Sequence, residues 1–208
     1  MVIQVTGFLS NRAIILISLF TALTSVAAFI KIPFPYIPIT LQTLVVFLCA
    51  NLLGAIYGTM SQILYLSIGL MGIPVFAYGG GLGYIFQPTF GYLLSFPLCT
   101  FFIGFVLSLL LPKKERTDIS PLKIFSIFGF ANLTGLTIIY GIGFSYLYLN
   151  LKYSLYLNLE NTSSFINMNI HDLVKIGILS PLPGDLIKLV LASYLAVKFK
   201  KIFNFQIS

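Results

Sequence analysis

The chain has 208 residues, 58% of them hydrophobic and only 8% charged, whereas soluble domains run near one quarter charged; it cannot coat a water-facing globule. Its net charge of +7 comes from cations standing singly or in short clusters between apolar runs, which is the pattern of membrane-helix flanks and argues against a nucleic-acid partner. The class that remains is an all-α, polytopic integral membrane protein in contact with membrane lipid, with residues 1–208 as a single membrane-embedded domain.

A bilayer is crossed by about 20 apolar residues, and six segments qualify. The first runs from about Ala13 to Ile30. Ser25-Val26-Ala27 roughly fits a signal-peptidase site, but the multi-spanning remainder favours a retained helix. Residues 31–40, KIPFPYIPIT, carry three prolines within six positions and exclude a regular helix. The second helix is expected from about Thr40 to Leu53, with Gly54 turning the chain into a third from Ala55 to Met71. A glycine-rich loop, 74–91, leads to a fourth helix from Phe90 to Leu111, and the polar run 112–121 closes that half. The fifth helix begins near Leu122 and extends to about Leu149; residues 150–170 are polar and without a period. The last is entered through Pro181-Leu182-Pro183-Gly184 and ends before Lys198.

Six spans put both termini on one side. That side holds Arg12, Lys113, Lys114, Arg116, Lys123, Lys198, Lys200 and Lys201, eight of the twelve cations, so both termini are expected in the cytoplasm. The protein is thus expected in the cytoplasmic membrane, with the Pro- and Gly-rich loops outside.

Within the last hydrophobic segment stand Asp185 and Lys188. Three residues apart on a helix, they share one face with about 4.5 Å of rise. Charges inside a membrane are expensive unless they pair or meet water, and they mark functional sites by default. Chemically the two offer an acceptor for N–H groups beside a cation for a carbonyl or carboxylate. A structural ion pair is the plainer reading, and an N-cap at Asp185 is another.

GGGLG at 79–83 is followed by Tyr84-Ile85, so it is not the phosphate cradle of a P-loop, and no GK[ST] occurs elsewhere in the chain. A transporter built on this chain would need an ATPase from a partner. Gln42, Gln62 and Asn132 are polar residues within spans, Gln62 and Asn132 reading best as interhelical hydrogen bonds. Ser18, Ala22 and Val26, with Thr24 and Ala28, place small side chains at four-residue spacing on the first helix, which suits close helix approach. Cys49 and Cys99 read as packed thiols, and the single His171 cannot form a metal cluster alone. The sequence offers no nucleophile–base pair, metal-ligand set or ion-selectivity filter. An enzyme is therefore not expected, nor a cofactor, and binding of a small solute is the surviving class.

Three stretches together resemble the BioY family, the biotin-binding S components of energy-coupling factor (ECF) transporters: IPITLQTL at 37–44, GLMGIPVFAYGGGLGYIFQPTFGYLLSFP at 69–97 and PLPGDLIKLVLA at 181–192. The family's GPTGGYL reads QPTFGYL here, and residues 74–91 contain no lysine or arginine. The resemblance implies a six-helix domain that captures biotin from outside, with release through an ECF module of a membrane scaffold protein and two ATPases. It implies Asp185 and Lys188 as ligands for biotin's polar groups, the lysine meeting either the ureido oxygen or the valerate carboxylate. Tyr92 and the loop from Tyr78 through Gly80 to Gly81 would wall the pocket, and Gln42 would add a hydrogen bond. The same fold binding another small vitamin or a biotin precursor is the alternative, as is a non-transporting membrane assembly subunit.

Overall fold

A computed structural model describes residues 10–32, 37–111, 120–156 and 169–203. Pro33 and Pro35, the basic run 112–119 and the polar stretch 157–168 lie outside the described residues. Helix α1 (Asn11–Phe29) starts on Ser10, whose Oγ accepts the Ala13 N–H at 3.2 Å. Thr21, Thr24 and Ser25 donate to the carbonyls four residues earlier at 2.8 to 2.9 Å, which satisfies hydroxyls where no water reaches. The proline-rich connection forms a two-residue antiparallel ladder, β1 (Lys31–Ile32) with β2 (Ile39–Thr40), Lys31 facing Thr40.

Helix α2 (Gln42–Leu70) is broken at Gly54, where φ is 75° and ψ −169°. In a straight helix Gln42 and Tyr65 would stand about 35 Å apart. Instead Gln42 Nε2 lies 2.6 Å from Tyr65 Oη, and the Cys49 thiol reaches the Gly58 carbonyl at 3.8 Å. The arms 42–53 and 55–70 therefore run antiparallel. A left-handed φ suits glycine alone among ordinary residues, and the turn packs tightly on Gly104 of α3, where a Cβ would fall 2.1 Å from Ala55 N.

Helix α3 (Phe90–Leu110) follows the loop, which contains a turn of 3₁₀ helix at Leu82–Phe86 that reading it as plain loop had missed. Helix α4 (Pro121–Tyr156) outruns the expected end at Leu149. Its extension is anchored by Leu151, buried in a cluster with Leu147 and Leu173, and by Asn150 Nδ2 donating to Phe86 O at 3.2 Å. A short helix α5 (Ile170–Val174) and a π turn (Lys175–Leu179) precede α6 (Leu182–Phe203), which continues past Lys198. Beyond the ladder, the β structure among the described residues is a single bridge, Phe76 with Gly79.

Five stretches are long and apolar enough to cross a membrane, by length and composition: α1, α2, α3, residues 121–152 of α4, and 170–199. Helix α2 packs chiefly on α1 and α3, α3 on α4, and α6 closes against α2 and α4. Val46, Phe47, Tyr65, Phe96, Ile103, Phe128 and Ile139 belong to one buried cluster. Large side chains such as Ile15, Leu109 and Ile187 point outward, the arrangement of a protein whose solvent is hydrocarbon.

Candidate ligand-binding site

Pro183 occupies the first turn of α6, where its missing N–H leaves no helical bond unmade. That turn delivers Asp185 into the protein, its own N–H bonded to Pro181 O at 3.0 Å, with the positive end of the helix dipole favouring the carboxylate. Asp185 and Lys188 are both buried, 5% and 7% exposed, and their charged atoms stand 2.7 Å apart. Thr43 of α2 donates to Asp185 Oδ1 at 2.8 Å and accepts from Lys188 Nζ at 3.1 Å. Tyr140 of α4 donates to Asp185 Oδ2 at 2.7 Å. Three helices thus meet on one carboxylate. A carboxylate has roughly four lone-pair sites, so three donors leave room for one more, from a ligand N–H.

The cluster lies on a cavity between the β ladder, the amino-terminal ends of α2, α3 and α6, and the middle of α4. Its walls are mainly apolar and aromatic, including Ile39, Ala77, Tyr84, Tyr92, Phe96 and Ile139; Lys188 is the cation of the lining and Asp185 its anion. Of the six residues expected from sequence, Asp185, Lys188, Gln42 and Tyr92 are brought together here. Gln42 is braced on both sides: its amide donates to Tyr65 Oη and its oxygen accepts from Thr40 Oγ1 at 2.9 Å, while Tyr65 donates to Val75 O at 3.1 Å. Tyr92 stands edge-on to Tyr140, centroids 6.4 Å apart, and its hydroxyl donates to the π-turn carbonyl of Gly177 at 2.7 Å.

Tyr78 and Gly80 fall outside the lining. The Phe76–Gly79 bridge turns Phe76 and Ala77 inward and leaves Tyr78 half exposed, with the Lys31 ammonium 4.4 Å above its ring. Gly80 lies against the loop's own base, where a Cβ would fall 2.3 Å from Ile73 O. Behind Ala77, the rings of Tyr65, Phe76, Tyr84, Phe90 and Tyr146 form an unbroken chain with centroid spacings of 4.7 to 6.4 Å. Phe90, where the small residue of the family motif would stand, is one of its links. Burial raises the Tyr84 phenol above its ordinary range, so it faces the cavity as a neutral group.

Outside this molecule, a profile described as the BioY family matches residues 3–205. The chain belongs to the BioY family. Similar proteins include the probable biotin transporter BioY of Lysinibacillus sphaericus, 38% identical over 94% of this chain and 90% of the relative. The biotin transporter BioY of Thermotoga maritima is 36% identical over 92% and 97%. A solved S-component for biotin from an ECF-type ABC transporter superposes with a TM-score of 0.72 over 95% of this chain and all of that one, at 23% identity, and so shares the fold. With five stretches long and apolar enough to cross a membrane, the chain is a multi-pass membrane protein.

Within this BioY chain, sequence reasoning missed Thr43 and Tyr140. Thr43 carries a faint signal, being a polar residue beside Gln42 at the start of a span. Tyr140 has none: its role arises only when α4 is laid against α6, 45 residues away along the chain.

Proposed function

We propose that this chain captures biotin from outside the cell and serves as the S component of an ECF-type transporter for its uptake. The observation that carries the reading is the Asp185–Lys188–Thr43–Tyr140 cluster at the edge of an apolar, tyrosine-lined cavity. Biotin's ureido ring presents N–H donors immediately beside a carbonyl oxygen, on an otherwise apolar bicycle. Asp185 supplies the matching acceptor and Lys188 the matching donor. Because Lys188 Nζ stands 2.7 Å from Asp185, the two serve one compact group, and we assign Lys188 to the ureido oxygen and not to the distant acid tail. Tyr92 and Tyr140 flank the ring system, and Gln42 braces the wall beside it.

The chain acts as one domain with six spans, α2 counting as two. The antiparallel arms held by Gln42–Tyr65 and Cys49–Gly58 support that count. With the cavity facing outward, the start of α1 and the end of α6 are cytoplasmic, in keeping with the basic clusters there. Transport is completed by a scaffold protein and two ATPases. On α1, Thr24 and Ala28 are fully buried against the fold, while Ser18, Ala22 and Val26 remain exposed; this outward row is the face assigned to the scaffold. Placing a tryptophan at Ala22 should leave biotin binding intact and stop uptake by the assembled transporter, and unchanged uptake would remove the row from the interface.

Equilibrium binding of labelled biotin to the purified protein in detergent tests the central claim. Wild type should bind saturably, and Asp185→Asn and Lys188→Ala should each bind at least tenfold more weakly, about the size of one charge-assisted hydrogen bond. A folded wild type that binds no biotin would overturn the assignment.

A further inference from the structure

With Lys188 committed to Asp185 and the ureido end, the acid tail of the ligand still needs a partner, because a carboxylate entering an apolar cavity must meet water or a cation. Among the described residues the lining supplies no second cation, and residues 74–91 of the sequence contain none. Among the described cations, Arg12, Lys123 and Lys198 stand near the ends of α1, α4 and α6 that point away from the cavity, and Lys152 and Lys175 lie on α4 and the π turn, outside the lining. Lys31 is placed differently. Its backbone pairs with Thr40 and its ammonium donates to the Ala77 carbonyl, and both Thr40 and Ala77 line the cavity. The same ammonium rests on the face of Tyr78. An ammonium carries three donors, so the bond to Ala77 leaves protons to offer.

We propose that Lys31 is the specificity-determining cation of the site, receiving the carboxylate of the ligand's tail at the cavity rim and setting the preference for an acid over a neutral analogue. This rests on biotin being the ligand. The opposite charges of the ligand's needs are thereby separated: Asp185 and Lys188 read the ureido group, and Lys31 reads the tail. The residue is solvent-exposed, so its contribution is that of a partly screened, charge-assisted bond, roughly tenfold in affinity.

The test is competition binding in detergent, with biotin and biotin amide against wild type, Lys31→Met and Lys31→Arg. Wild type should favour the acid by roughly tenfold. Lys31→Met should lose that preference by weakening biotin far more than the amide, with an unchanged melting temperature as proof of a folded protein, and Lys31→Arg should keep it. A Lys31→Met protein that retains the wild-type acid-to-amide ratio overturns the proposal. So does one that loses acid and amide equally, since Lys31 would then only brace the loop. A wild type that binds neither compound strikes at the biotin reading itself, a result distinguishable from both.

Discussion

Removing one charge of the buried pair should cost the fold more than removing both, while the consequence for binding is the same. In Asp185→Asn, Lys188 keeps its ammonium in a position only 7% exposed, with neutral acceptors alone, the Thr43 hydroxyl and the new amide oxygen, in place of the carboxylate. Breaking a buried pair from one side costs about 3–5 kcal/mol, because the surviving charge is left uncompensated. In Asp185→Asn combined with Lys188→Met, no charge is stranded. The remaining loss is that of the charged acceptor for Thr43 and Tyr140, about 1 kcal/mol for each hydrogen bond weakened. At roughly 2–4 °C per kcal/mol for a chain of this size, the single variant should melt about 6–20 °C below wild type in detergent, and the double variant should recover a substantial part of that. Biotin binding should be lost in both, since neither presents the carboxylate. If single and double variants melt together, Lys188 is not stranded by loss of Asp185 and the argument from burial fails. Wild-type biotin affinity in the double variant would refute the site.

Tyr140→Phe deletes one of the three donors to Asp185 while keeping the ring against Tyr92; biotin affinity, read by isothermal titration, should fall by roughly three- to tenfold, about 1 kcal/mol. Gly104→Ala forces a Cβ to within 2.1 Å of Ala55 N at the α2 turn, so thermal unfolding should report a loss of about 1–3 kcal/mol or more. Gly141→Ala, where a Cβ meets nothing within 4 Å, should be neutral or stabilise by up to about 1 kcal/mol in the same measurement.

Features governed by local chemistry were legible in the sequence, and those decided by distant packing were not. Gly54 announced itself because a lone glycine between two apolar runs has few other uses, and its φ of 75° requires one. Asp185 and Lys188 announced themselves by charge in an apolar segment. Tyr78 stands outside the cavity lining because loop residues alternate sides according to a bridge, Phe76 to Gly79, that no local rule predicts. The end of α4 was misplaced because Leu149 is followed by polar residues, yet Leu151 has a buried seat against Leu173 that lies 22 positions further on. The contact from Lys31 to Ala77 spans 46 residues; in the sequence Lys31 is simply a cation in a proline-rich connection.

The folded-back α2 has a consequence for the depth of protein beneath the cavity. From Gln42 at the cavity to Leu53 before the turn is 12 residues by number, about 18 Å of helix. Its neighbours reach further: α3 runs six residues beyond Gly104, and α1 begins six residues before Ile17, which clusters with Leu53. Each therefore overhangs the turn by about 9 Å. Among the described residues, the end opposite the cavity is thus indented between α1 and α3, in a bilayer whose hydrocarbon core is about 30 Å thick. Along this line the described helix that separates the cavity from the far side is little more than half as long as that core is thick.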